Sequence, residues 1–147
     1  MLTIYALKPK FQNLLRPICL SLAKAGFTAN QVTIAAVILS SWGGLAILLF
    51  PTHAWPLLVL PAILFVRMAL NAIDGMLARE HDMKSALGAI LNELGDVVAD
   101  AILYLPMALV PGVDGHWVVS LVMIAIVTEM AGVVAVQIGA QRRYDGP

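Results

Sequence analysis

Residues 32–50 read VTIAAVILSSWGGLAILLF, a run without a charged side chain. At about 1.5 Å per residue, a helix of this length crosses a hydrocarbon core roughly 30 Å thick. Three further long apolar stretches follow, at 55–78, 86–111 and 116–140. The sequence therefore predicts an all-α integral membrane protein with four transmembrane helices.

The composition of the whole chain supports this fold class. Of its 147 residues, 61% are hydrophobic and 12% are charged, whereas about a quarter of the residues of a soluble domain are charged. Nine Lys and Arg balance nine Asp and Glu, so the excess of positive charge typical of nucleic-acid-binding proteins is missing. Composition thus excludes a soluble globule and gives no indication of a nucleic-acid partner.

Residues 1–31 have a different pattern from the membrane domain predicted over 32–147. Apolar side chains recur there at helical spacing, with polar side chains between them; the apolar set is Phe11, Leu14, Leu15, Ile18 and Leu22. This pattern predicts an amphipathic helix that lies in the membrane interface.

The positions of Lys and Arg predict the orientation of the chain. The connections at 51–54 and 111–115 hold neither residue, whereas the opposite side of a four-helix zigzag holds Lys8, Lys10, Arg16, Lys24, Arg79, Lys84, Arg142 and Arg143. Because positive charge marks the cytoplasmic side of a membrane, we expect both the N-terminal segment and the end of the chain to be cytoplasmic.

Polar and acidic residues are concentrated inside the second and third spans. A charged side chain in a bilayer costs roughly 2.5 to 3.5 kcal/mol on insertion scales, so a group of them needs partners or a function. Asn71 and Asp74 are three residues apart, and Asn92, Asp96 and Asp100 are spaced by four, so each set lines one helix face. These side chains offer oxygen ligands, which hard cations such as Mg²⁺ prefer. They predict a divalent-cation site between the two helices.

The same residues belong to an ordered motif, Asn71-Ala-Ile-Asp74-Gly75-Met-Leu-Ala78-Arg79, eight residues, Gly88, then Asn92 and Asp96. It resembles the signature D-x2-D-G-x2-A-R-x8-G-x3-D-x3-D of the CDP-alcohol phosphatidyltransferases, with all eight fixed positions matching in spacing and six in identity. The upstream stretch Gly26-Phe-Thr28-Ala-Asn30-Gln-Val-Thr33 resembles the G-x-T-P-N-x-x-T segment of that family. The resemblance covers residues 5–147.

The resemblance implies a six-helix, homodimeric enzyme of a bacterial-type inner membrane, with its active site on the cytoplasmic side. Such an enzyme transfers a phosphatidyl group from CDP-diacylglycerol to the hydroxyl of a small polar alcohol and releases CMP. Because this chain supplies four spans, we expect a fragment or shortened chain that lacks part of the acceptor pocket. Glycerol 3-phosphate, serine, inositol phosphate and another alcohol all remain open as acceptors.

The resemblance also implies a role for each motif residue. Asp74 and Asp96, with Asn71 and Asn92, are expected to hold Mg²⁺ or Mn²⁺ against the diphosphate. Asp96 matches the final Asp of the signature, the base for the acceptor hydroxyl, and Asp100 is the second candidate for that role.

Five further residues are the candidates for substrate binding: Gly75, Ala78, Arg79, Thr28 and Asn30. Each also has a structural interpretation. Helix packing accounts for Gly75 and Ala78, cytoplasmic anchoring for Arg79, and capping of the first span for Thr28 and Asn30.

Asn71 and Asn92 depart from the signature, which has Asp at both positions. The site therefore carries two negative charges instead of four, which favours one tightly held metal, or a second that binds only with the diphosphate. Asp100 and Glu93 are candidates to restore charge. The alternative hypothesis is a catalytically silent scaffold or partner subunit of the same fold; an ion transporter would explain the intramembrane acids but not the motif.

Arg67 lies inside the second span, about 18 Å along its helix from Arg79. An unpaired guanidinium at this depth would be costly, and the depths of Glu129 and Asp100 match. We expect Arg67 to pair with one of these two acids, with direct contact to the diphosphate as the alternative.

Overall fold

The computed structural model describes residues 4–139, and these fold into five α-helices and one short 3-10 helix. The α-helices are α1 (Ile4–Lys24), α2 (Ala29–Leu49), α3 (Trp55–Glu80), α4 (Ala86–Tyr104) and α5 (Gly115–Gln137), and the 3-10 helix covers Leu105–Leu109. No strand occurs between residues 4 and 139. The prediction of an all-α protein is confirmed. Arg142 and Arg143, used above for the orientation, and the last residue of the 116–140 span lie outside the described residues.

Two helix boundaries differ from the predicted spans for identifiable reasons. Helix α2 begins before residue 32, because Thr28 and Gln31 form a capping box in which each side chain accepts a hydrogen bond from the other residue's backbone N–H. Helix α4 ends at Tyr104, so the prediction that this helix continues to residue 111 was wrong. Pro106 has no backbone N–H for an α-helical hydrogen bond, and the chain tightens into the 3-10 helix there.

Helices α2, α3 and α5 are long and apolar enough to cross a membrane. Helix α4 is not in this group, and its 19 residues include Glu93, Asp96 and Asp100, so its transmembrane placement stays a prediction. Trp55 and Trp117 lie in the first turns of α3 and α5 with exposed side chains. An indole in such a position suits the lipid boundary.

Helix α2 packs against both α3 and α4. Its close approach to α4 depends on two glycines. A Cβ atom on Gly44 would lie 2.1 Å from the carbonyl oxygen of Ile102, and one on Gly43 would lie 2.8 Å from Cδ1 of Leu103. Small residues let helix backbones approach closely, so the two glycines allow α2 and α4 to pack tightly at this crossing.

Helix α1 packs against α3 near the C-terminal end of α3. A buried cluster joins α1, α2 and α3 and consists of Leu15, Cys19, Ala29, Val32, Ile73, Met76 and Leu77. At the surface, Arg16 donates a hydrogen bond of 2.6 Å to Glu80. Leu14 and Ile18 of the predicted interfacial face remain exposed, at 72% and 50%. Helix α1 is thus fixed to α3, and its location in the interface stays a prediction.

Candidate active site

Asp74 is the most deeply buried of the predicted site residues, with 4% of its surface exposed. Its Oδ2 atom accepts a hydrogen bond of 2.8 Å from the hydroxyl of Thr33, one helix away on α2. The same hydroxyl lies 3.2 Å from the carbonyl oxygen of Ala29. Because a buried carboxylate needs hydrogen-bond partners, Thr33 both satisfies Asp74 and fixes its direction.

A cavity of about 410 Å³ opens beside Asp74 between α2, α3 and α4, and we call it the Asp74 cavity. It brings together most of the predicted substrate and motif residues. Its polar and small lining side chains include Asn30, Asp74, Gly75, Ala78, Arg79, Lys84, Gly88, Asn92 and Glu93. Asn92 and Glu93 both line it, although neighbouring residues on a helix are about 100° apart.

Two glycines leave space for polar groups at this cavity. A Cβ atom on Gly75 would lie 3.0 Å from Nη2 of Arg79, so the guanidinium folds back over the glycine. A Cβ atom on Gly88 would lie 2.7 Å from Oδ1 of Asn30. The glycines of the motif therefore allow Arg79 and Asn30 to reach the cavity.

Asp96 belongs to a second polar cluster, in which side chains of α3 donate hydrogen bonds to acidic residues of α4. Its Oδ1 atom accepts hydrogen bonds from Nδ2 of Asn71 at 2.9 Å and from Nη2 of Arg67 at 3.1 Å. Nη1 of Arg67 forms an ion pair with Asp100. The predicted pairing of Arg67 with Asp100 is confirmed, and the structure adds Asp96 as a second partner.

The second cavity, of about 470 Å³, lies beside this cluster, and we call it the Asp96 cavity. Its polar lining consists of Arg67, Asn71, Asp96, Asp100, Tyr104 and Glu129, and apolar side chains from α3, α4 and α5 complete it. The four predicted metal ligands are therefore divided between the two cavities. Asp74 and Asn92 line the first, and Asn71 and Asp96 line the second.

Thr28 lines neither cavity. Its hydroxyl accepts the N–H of Gln31 in the capping box of α2, which is the structural role weighed for it above. Contact between Thr28 and a substrate stays a prediction.

The family model for CDP-alcohol phosphatidyltransferases matches residues 27–146 of this chain. The chain belongs to the CDP-alcohol phosphatidyltransferase family. It is 47% identical over 148 residues to the inner membrane protein YnbA of Escherichia coli (strain K12), an alignment that covers 99% of this chain and 72% of that protein. No solved structure matches the chain.

Membership of the CDP-alcohol phosphatidyltransferase family makes this chain a membrane-bound transferase of phospholipid biosynthesis. Enzymes of the family are generally metal-dependent. Among residues 4–139, no group of three or more His, Cys, Asp or Glu side chains is arranged to hold a metal ion. Mg²⁺ is commonly bound by one or two carboxylates together with substrate phosphates. Asp74 and Asp96 supply that number of carboxylates, and their role as ligands of one metal stays a prediction.

Sequence reasoning did not assign roles to Thr33 and Tyr104. Thr33 had a usable signal, because it is a polar residue in an apolar span and stands in the stretch that resembles the family segment. Tyr104 also had a usable signal, because it lies four residues after Asp100 and continues the face of α4 that carries Asn92, Asp96 and Asp100.

Proposed function

We propose that this chain transfers the phosphatidyl group of CDP-diacylglycerol to the hydroxyl of a small polar alcohol and releases CMP, on the cytoplasmic side of the inner membrane. The supporting observation is the Asp74 cavity. Residues that are far apart in the motif, from Asp74 to Asn92, line one space of about 410 Å³. The homodimer implied by the family resemblance is part of the same proposal.

The nucleotide end of the substrate fits the Asp74 cavity by charge and by shape. Arg79 and Lys84 line it and can neutralise a diphosphate, and the planar guanidinium of Arg79 offers a fork of donors that matches phosphate oxygens. Gly75 and Ala78 carry no bulky side chain, so the cytidine can approach the helix at this point.

Asp74 and Asp96, with oxygens of Asn71 and Asn92, would hold Mg²⁺ or Mn²⁺. A cation bound there would neutralise the charge of the diphosphate and of the leaving CMP. Thr33 keeps the carboxylate of Asp74 directed toward this position through its 2.8 Å hydrogen bond.

Asp96 is the proposed base for the acceptor hydroxyl. The hydrogen bonds from Arg67 and Asn71 to its carboxylate both end on Oδ1, so Oδ2 is the atom that takes the proton. The hydroxyl oxygen then forms a bond to the phosphatidyl phosphorus while the bond from that phosphorus to the bridging diphosphate oxygen breaks. CMP leaves with the bridging oxygen. Arg67 and Asn71 act here as positioning residues, and Asp100, paired with Arg67, is the less suitable base.

The experiment is CMP release from CDP-diacylglycerol by the purified protein in detergent micelles, with a panel of alcohols. We expect release that requires a divalent cation and is lost in Asp74→Asn and Asp96→Asn. Glu80→Gln is the matched control, because it also changes one paired acid to an amide but lies at the surface. Absence of release with every alcohol would favour the catalytically silent scaffold instead.

A further inference from the structure

We propose that the acceptor alcohol of this enzyme carries no phosphate group, because the one cationic side chain that the described residues contribute to the Asp96 cavity, Arg67, is already paired with two acids. The inference rests on the proposed function and on the assignment of the acceptor to the cavity beside Asp96. It concerns the chemical class of the acceptor, which the family leaves open.

The charges that line the Asp96 cavity are predominantly negative. Within the described residues, Arg67 is the one cationic side chain in the lining, and Asp96, Asp100 and Glu129 are acids. Two of these acids can be left out without making the described lining positively charged. If Asp96 is engaged with a metal and Glu129 is left out, Arg67 and Asp100 still form a neutral pair.

Both terminal nitrogens of the Arg67 guanidinium are hydrogen-bonded within the protein. It donates to Asp100, to the Asp96 carboxylate and, at 3.3 Å, to the Asp96 backbone carbonyl. Only 9% of its side chain is exposed. A phosphate in the cavity would therefore have to displace Asp100 from Arg67 and then lie beside the displaced carboxylate, and such like-charge contacts strongly disfavour a ligand.

The two cavities thus differ in the ligand that their charges suit. Arg79 and Lys84 in the Asp74 cavity are the cations available to a diphosphate. In the Asp96 cavity, Asp96 and Asp100 have side chains that are 38% and 45% exposed, so their oxygens are open to hydroxyl or ammonium donors. An uncharged polyol or an amino alcohol fits this lining.

The first test compares acceptors that differ only by a phosphate: glycerol with glycerol 3-phosphate, and inositol with inositol 3-phosphate. CMP release by the purified protein is measured for each at equal concentration. We expect kcat/KM to be at least about tenfold higher for the unphosphorylated member of a pair. A preference for the phosphorylated member would overturn the inference and leave the proposed function intact. No release with any acceptor would overturn both.

The second test changes the selectivity by releasing Arg67. In Asp100→Asn, Arg67 loses its closest acid, so we expect the ratio of kcat/KM for the phosphorylated over the unphosphorylated acceptor to rise about tenfold. Glu80→Gln is the matched control and should leave the ratio unchanged. If Asp100→Asn lowers activity equally with both acceptors, Asp100 is a base or a structural residue and does not set selectivity. That result would overturn the inference.

Discussion

Replacing Arg67 with Met removes the one guanidinium that joins α3 to two acids of α4, and it keeps a long apolar side chain in place. A hydrogen bond to a charged group contributes about 1.5 to 3 kcal/mol, and breaking a fully buried pair costs about 3 to 5 kcal/mol. The side chain of Arg67 is 9% exposed, but those of Asp96 and Asp100 are 38% and 45% exposed. Because water partly solvates both acids, we expect a loss below that for a fully buried pair, about 2 to 3 kcal/mol.

The assay is thermal unfolding of the purified protein in one detergent. For a chain of this length, that loss lowers Tm by roughly 5 to 10 °C. The double variant Arg67→Met with Asp100→Asn should be more stable than the sum of the two single losses by about 1 kcal/mol or more.

The same chain offers a matched control for this cycle. Arg16 and Glu80 also form an Arg–carboxylate pair, at the surface, with side chains 46% and 36% exposed. Surface pairs contribute little, so the coupling between Arg16→Met and Glu80→Gln should stay below about 1 kcal/mol. Equal coupling in the two cycles would refute the reasoning, because the burial of Arg67 would then have no energetic consequence.

Three further changes test other contacts of the structure. Gly44→Ala should destabilise the protein by about 1 to 3 kcal/mol, since its Cβ atom would meet backbone of α4 at 2.1 Å; an unchanged Tm would contradict the close crossing. Thr33→Val removes the hydroxyl that bonds Asp74 and should lower CMP release about tenfold, while Thr33→Ser keeps most of it; equal activity of the two variants would remove Thr33 from the site. Asn71→Asp places a carboxylate where an amide now donates to Asp96, so we expect a lower Tm without metal and a larger Mg²⁺-induced rise in Tm than in the parent; equal Mg²⁺ responses would contradict this.

Much of the fold could be predicted from the sequence because the signals are local. Long apolar runs locate α2, α3 and α5, and the amphipathic pattern of residues 1–31 locates α1. The end of α4 could not be placed in the same way, since the apolar run continues to residue 111. The α-helix ends before residue 111 because Pro106 has no backbone N–H to donate to a helical hydrogen bond. The hydrophobicity of the sequence gives no sign of this restriction.

The site could be predicted in composition but not in arrangement. Spacing along α3 and α4 places the acids and amides on facing surfaces, and depth alone brings Arg67 level with Asp100. The partition into two cavities depends on how α2 crosses α4 at Gly44 and on which way each side chain turns. Contacts between helices, such as that of Thr33 with Asp74, depend on tertiary packing and leave no periodic signal in the chain.

The most direct test of the account is the stoichiometry of the lipid products. Purified protein, CDP-diacylglycerol, Mg²⁺ and an unphosphorylated acceptor are incubated, and CMP and the lipid products are quantified by mass spectrometry. The account predicts one phosphatidyl-alcohol for each CMP released, with neither product formed by Asp74→Asn. Release of CMP with phosphatidic acid in place of the alcohol ester, or undiminished product from Asp74→Asn, would contradict it.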